Sequence, residues 1–137
     1  YTSIKMWRLH MINKKTKILL VIASLMMAFG IMTGAFGAHA LKQFISDELM
    51  LVFDTGSKYH FFNTLGLFAI AFILQFKPDS KLLFIAAILV ILGTLIFSVS
   101  LYLLVILKIS WLGAITPIGG TLLIIGWIMT TVGIIKE

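Results

Sequence analysis

The sequence predicts an all-α membrane protein: four transmembrane helices with an amphipathic interfacial helix between helices one and two. Three observations carry this. Four apolar runs of spanning length alternate with short polar segments. The 137 residues are 61% hydrophobic and only 12% charged, whereas soluble domains carry about a quarter charged residues. No Asp, Glu, Lys or Arg falls inside any of the four runs. Lipid can face such a surface without cost, because the bilayer core holds no water to exclude.

The first run is Ile18 to Ala38, 21 uncharged residues. At about 1.5 Å per residue it reaches roughly 31 Å, enough to cross a hydrocarbon core of about 30 Å. A secretory signal is the rival reading, with Lys14-Lys15-Thr16-Lys17 as its basic region and Ala38-His39-Ala40 as its cleavage site. The run is too long for that, since signal cores span about 7–15 residues. Gly30, Gly34 and Ala38 recur every fourth residue and form a small-xxx-small stripe for close packing by another helix. Upstream, Met11 followed by Ile-Asn-Lys-Lys-Thr-Lys resembles a bacterial start. Residues 1–10 are therefore expected to be an upstream segment outside the fold, and residues 11–137 a single domain.

Leu41 to Ser57 forms the long connection. Leu41, Phe44, Ile45, Leu49, Val52 and Phe53 follow helical spacing, with Lys42, Gln43, Ser46, Asp47 and Asp54 mostly between them. Such an amphipathic pattern is too polar to span and reads as a helix lying at the interface. Gly56 is its expected stop, and Thr55 or Ser57 the expected cap of the next helix. Tyr59 to Phe76 is the second span, and Lys77-Pro78-Asp79-Ser80-Lys81 a tight turn ended by proline chemistry. Leu82 to Leu107 is the third span. Its 26 residues come to roughly 39 Å, which implies tilt or a protruding end. After Lys108-Ile109-Ser110, Trp111 to Ile135 is the fourth span. Pro117 has no N–H for the carbonyl of Gly113, so a kink is expected there, eased by Gly119 and Gly120. Gly119, Gly126 and Gly133 recur every seven residues on this helix, as a packing column within one chain or between copies.

Charge sets the orientation. The chain is +6 overall, and five of its eleven basic residues (Lys5, Arg8, Lys14, Lys15 and Lys17) precede the first span. One side holds these with Lys77, Lys81 and Lys136; the other holds Lys42, Lys58 and Lys108. The positive-inside rule then places both termini in the cytoplasm of a bacterial cell, in a multi-pass plasma-membrane protein. The partner expected is the lipid bilayer, with a homo-oligomer or another membrane protein beside it. Nothing in the charge pattern suits nucleic acid, because no basic face exists beyond the N-terminal cluster.

The candidate site is a polar cluster on the outer side: His39, Tyr59, His60, Asn63, Ser98, Ser100, Tyr102 and Thr116. Tyr59 and Asn63, and Ser98 and Tyr102, lie four apart and share helix faces. These residues are read as a binding site for a partner helix or a lipid-like ligand, against the plainer reading of hydrogen bonds between helices worth about 0.6 kcal/mol each. Two other classes stay open: a haem- or quinone-associated redox subunit using His39 and His60, and a small oligomeric channel or carrier. No ionisable group sits at mid-span as proton-coupled carriers require. There is no phosphate-binding glycine loop, no Ser/His/Asp set, no HExxH and no cysteine. No cofactor, metal site or catalytic set is therefore expected.

Three segments carry a resemblance. They are Gly34-Ala-Phe-Gly-Ala-His39-Ala-Leu41; Thr55-Gly56 with Tyr59-His60-Phe-Phe-Asn63; and Phe97-Ser98-Val99-Ser100-Leu101-Tyr102 with Thr116-Pro117-Ile118-Gly119-Gly120 and Gly126-Trp127. Together they resemble the YgdD/YwdK-like family of small uncharacterised bacterial membrane proteins, which has small eukaryotic transmembrane relatives. The resemblance spans about residues 11–135. It implies a four-helix inner-membrane protein and no established activity. Two positions depart from the family: Asn63 stands where it usually has histidine, and Val99 where it usually has glycine.

Overall fold

The computed structural model describes residues 11–136 together with Ser3 and Met6. The expected upstream segment, those two residues aside, lies outside the described residues. Four long helices follow in order: α1 (Lys14–His39), α2 (Asp47–Phe76), α3 (Lys81–Leu107) and α4 (Thr116–Lys136), with short 3-10 turns at Leu41–Gln43 and Ser110–Ala114. Four helical stretches among the described residues are long and apolar enough to cross a membrane.

Each helix start has a local cause. Asn13 caps α1 by accepting from Thr16 N at 2.9 Å. Ser46 caps α2 and Ser80 caps α3, each through its hydroxyl oxygen at 3.2 Å from the N–H three residues on. Asp47 and Glu48 occupy the first turn of α2, where the helix dipole favours negative charge. α3 ends at Lys108, whose φ of 55° lies in the left-handed region that commonly terminates helices.

The helices pack along seams with spacings of three and four residues. In α1 the buried positions are Thr16, Leu19, Ala23, Met26, Gly30 and Gly37. In α4 they are Gly119, Leu123, Gly126, Thr130 and Gly133. This is the knobs-into-holes periodicity of helix bundles. Substantial contacts join α1 to α2, α2 to α3 and α3 to α4, so α1 and α4 flank a central pair. One core cluster draws Leu19, Ala23 and Met26 from α1, Leu67, Ile70 and Leu74 from α2, Leu83 and Val90 from α3, and Leu123 from α4. A second, at the opposite end of the bundle from Asn13, unites Leu41, Phe53, Tyr102 and Val105.

Two sequence expectations are corrected. The separate interfacial helix over Leu41 to Ser57 does not form. Beyond the 3-10 turn, its residues from Asp47 onward are the first turns of α2, a continuous helix of 30 residues, about 45 Å long. Its apolar stripe was real, but protein covers part of it: Leu41 and Phe53 are buried, and Ile45, Leu49 and Val52 pack around them against the end of α3. Gly56 does not stop the helix, and neither Thr55 nor Ser57 caps one. The signal for the earlier start, Ser46 followed by two acidic residues, is local and legible.

The second correction concerns Pro117. The fourth span is not one kinked α-helix. Its opening residues form a 3-10 turn, and α4 begins at Thr116. Pro117 thereby falls in the first turn, where a missing N–H costs no hydrogen bond. Gly119 serves packing rather than bending. A Cβ there would strike the Phe97 backbone and come within 2.8 Å of the Gly93 carbonyl. At Gly120 a Cβ would meet only the Phe97 ring, at ordinary contact distance.

Candidate functional site

His60 lies at the centre of the polar residues, 1% exposed. One ring nitrogen, Nε2, stands 2.8 Å from the Met26 carbonyl. A carbonyl can only accept, so Nε2 carries the proton and donates. In the neutral ring Nδ1 is then the acceptor, and the Tyr102 hydroxyl donates to it at 2.9 Å. Two bonds thus tie α1, α2 and α3 together. The Thr33 and Ser57 side chains border the same tyrosine hydroxyl. Gly30 makes the approach feasible, because a Cβ there would lie 3.3 Å from Nε2 and 3.2 Å from the Phe61 ring.

The same device recurs. Asn63 Oδ1 accepts from Trp127 Nε1 at 2.8 Å, while its Nδ2 donates to the Tyr59 carbonyl at 2.9 Å. Gly66, one turn along α2, leaves room for the indole, which a Cβ there would overlap. Ser98 Oγ donates to the Gly56 carbonyl at 2.7 Å. A Cβ on Gly56 would come within 3.0 Å of Tyr102. Among the described residues no buried side-chain nitrogen or oxygen lacks a partner. A lone polar group in hydrocarbon costs several kcal/mol, so this completeness is what permits so many polar groups inside the bundle.

The eight candidate residues do not form one pocket. His60 and Tyr102 meet. Asn63 turns to Trp127, and Ser98 to Gly56. Tyr59 is 44% exposed, its ring 4.5 Å from that of Phe97. His39 is exposed at the end of α1. It sits thirteen residues beyond Met26, roughly 20 Å along the helix axis, so the two histidines do not approach each other. His39 is distant, and both nitrogens of His60 are already engaged, so the two histidines do not form one ligand pair.

Ser100 and Thr116 remain. Their hydroxyl oxygens are 2.6 Å apart, and Ser100 also donates to the Phe97 carbonyl at 2.8 Å. A serine has one proton, so Thr116 is the donor between them and keeps acceptor lone pairs of its own. Ser100 lines a groove of about 430 Å³, whose other walls are Leu95, Ile96, Val99, Leu103, Leu112 and Ile115. The packing residues are placed as follows. Gly30, Gly126 and Gly133 are buried within the chain, the last two against α3. A Cβ at Gly34 would meet neighbours only at 3.8 Å. Ala38 is exposed and belongs to no seam; Gly37, seated on the Phe53 ring, takes that place.

Sequence reading missed two features. Trp127 is the partner of Asn63, 64 residues away. At the lysine-rich end, Gln75 Oε1 accepts from both Asn13 N at 3.0 Å and Asn13 Nδ2 at 3.1 Å, stapling the start of α1 to the end of α2. Asn13 is recognisable as a cap from its place before an apolar run, but nothing local announces Gln75 as its partner.

Comparison with known proteins now places the chain. A family model described as "Protein of unknown function (DUF423)" matches residues 33–120. The chain is 39% identical over 120 residues to the UPF0382 membrane protein YwdK of Bacillus subtilis, covering 88% of this chain and 98% of that protein. It is 36% identical over 120 residues to the UPF0382 membrane protein SSP2132 of Staphylococcus saprophyticus, with 88% and 98% covered. A UPF0382 membrane protein of Haemophilus influenzae is 37% identical over 109 residues, with 80% and 86% covered. No solved structure matches the chain. Four membrane-length helices, a family match across more than half the chain and relatives aligned over nearly their whole length lead to one conclusion: the chain belongs to the DUF423 family, as an integral membrane protein akin to the UPF0382 membrane proteins.

Proposed function

We propose that this protein is a non-enzymatic membrane protein that binds a lipid-like molecule bearing a hydroxyl group, in the groove between α3 and the 3-10 turn ahead of α4. One observation carries the reading. Of the candidate polar residues, only Ser100, hydrogen-bonded to Thr116, lines an open apolar groove. His60, Asn63, Ser98 and Tyr102 are committed to bonds within the chain, and His39 and Tyr59 stand exposed. The ligand's apolar body lies along Val99, Leu103, Leu112 and Ile115, and its hydroxyl donates to the remaining lone pair of Ser100 Oγ. A few placed polar groups in an otherwise apolar concavity are the usual composition of a small-molecule site. The lysines support both termini on the cytoplasmic side: Lys14, Lys15, Lys17, Lys77, Lys81 and Lys136 mark one end of the described bundle, against Lys42, Lys58 and Lys108 at the other.

Purified protein should carry a hydroxyl-bearing amphiphile detectable by mass spectrometry. Val99→Trp, which fills the groove, should deplete it several-fold, and Ser100→Ala should weaken its retention. An unchanged lipid inventory in both variants, or a co-purifying protein displaced by Val99→Trp in place of a lipid, would overturn the reading.

A further inference from the structure

A second groove, of about 330 Å³, runs down the outer face of α1 at the lysine-rich end. Its walls are Ile12, Lys17, Leu20, Val21, Ser24 and Leu25. Ser24 contributes no free donor, because its hydroxyl already donates to the Leu20 carbonyl at 2.7 Å. Below Lys17 the groove is therefore apolar in effect. Lys17 stands at its mouth, and Lys14, one turn earlier, shares that helix face. The intervening Lys15 points elsewhere, its ammonium 5.3 Å from the centre of the Phe84 ring. Lys77 is likewise occupied, donating to the Ile134 carbonyl at 3.1 Å. This end of the described bundle holds six lysines and one acidic residue, Asp79.

We infer that this groove is a binding site for one anionic phospholipid, its phosphate between the Lys14 and Lys17 ammonium groups and an acyl chain along Leu20, Val21 and Leu25. Charge complementarity selects the occupant. A zwitterionic lipid offers the same chains to the groove but brings its own cation to the lysines. Each lysine near a membrane surface favours an anionic lipid by about fivefold. The site is independent of the groove on α3, which lies toward the other end of the bundle.

The full chain, in nanodiscs containing equal phosphatidylglycerol and phosphatidylcholine, tests this by native mass spectrometry of retained lipid. The wild type should keep one phosphatidylglycerol in at least about fivefold preference to phosphatidylcholine. Lys17→Gln should abolish most of that preference, Lys17→Arg should keep it, and Lys81→Gln should leave it unchanged. Both positions are exposed, so folding is not at stake. Equal retention of the two lipids by the wild type would overturn the inference. So would equal losses in Lys17→Gln and Lys81→Gln, the mark of a diffuse lysine field, or no loss in Lys17→Gln.

Discussion

The α3–α4 seam and the α1–α2–α3 seam use glycine in opposite ways. Between α3 and α4 the backbones themselves touch. A Cβ on Gly93 would come within 2.9 Å of the Gly119 carbonyl and the Leu123 N–H, and Gly119 faces Gly93 and Phe97 in return. Between α1, α2 and α3 the glycines hold no backbone partner but make room for rings. Gly30 admits His60, Gly37 admits Phe53 and Gly56 admits Tyr102. Lipid supplies no hydrophobic drive between helices. One seam compensates chiefly by dispersion at close range, with the Ser100–Thr116 bond at its end, the other by hydrogen bonds carried across the space that glycine vacates.

The largest expected effect breaks the α3–α4 seam. Gly119→Ala places a methyl group against the Phe97 backbone, which cannot rotate away, and should cost about 3 kcal/mol. Unfolding in bicelles would measure it, and a loss below about 1 kcal/mol would show that the backbones need not touch. Next is His60→Ala, which removes two bonds between helices and leaves a cavity, for about 2 kcal/mol. His60→Phe sharpens this by restoring volume without the bonds, so roughly half the loss should return. If the two variants unfold alike, the hydrogen bonds are the whole contribution and the packing none. Trp127→Phe removes the bond to Asn63 and empties part of the space beside Gly66, and should cost about 1.5 kcal/mol by the same assay. The smallest is His39→Ala. Exposed and away from both seams, it should shift stability by no more than about 0.5 kcal/mol. A larger change would place His39 in a contact absent from the folded chain by itself.

These contrasts follow what the sequence could reveal. The stretch from Leu41 to Ser57 announced one amphipathic helix, but only its part from Asp47 onward is α-helical. What covers its apolar side was not legible, because Leu41 and Phe53 meet Tyr102 and Val105 some fifty residues away. His60 was legible as a polar residue in an apolar span, but its partner on α1 is the carbonyl of Met26, and a backbone acceptor has no letter of its own. Gly66 gave no sign of the indole it accommodates, since an empty position is defined only by what fills it.

By itself the sequence determined the number of spans, their approximate limits, the turns between them and the lysine imbalance of the two ends. Hydropathy, length and charge are additive along a chain, so a linear reading recovers them. Tertiary structure alone decided that the first turns of α2 bury Phe53 against α3, that His60 turns to Tyr102 and Met26 instead of His39, and that Ser100 lines a groove. Those outcomes depend on how closely and at what rotation the helices approach, which the glycines permit and only the assembled bundle selects.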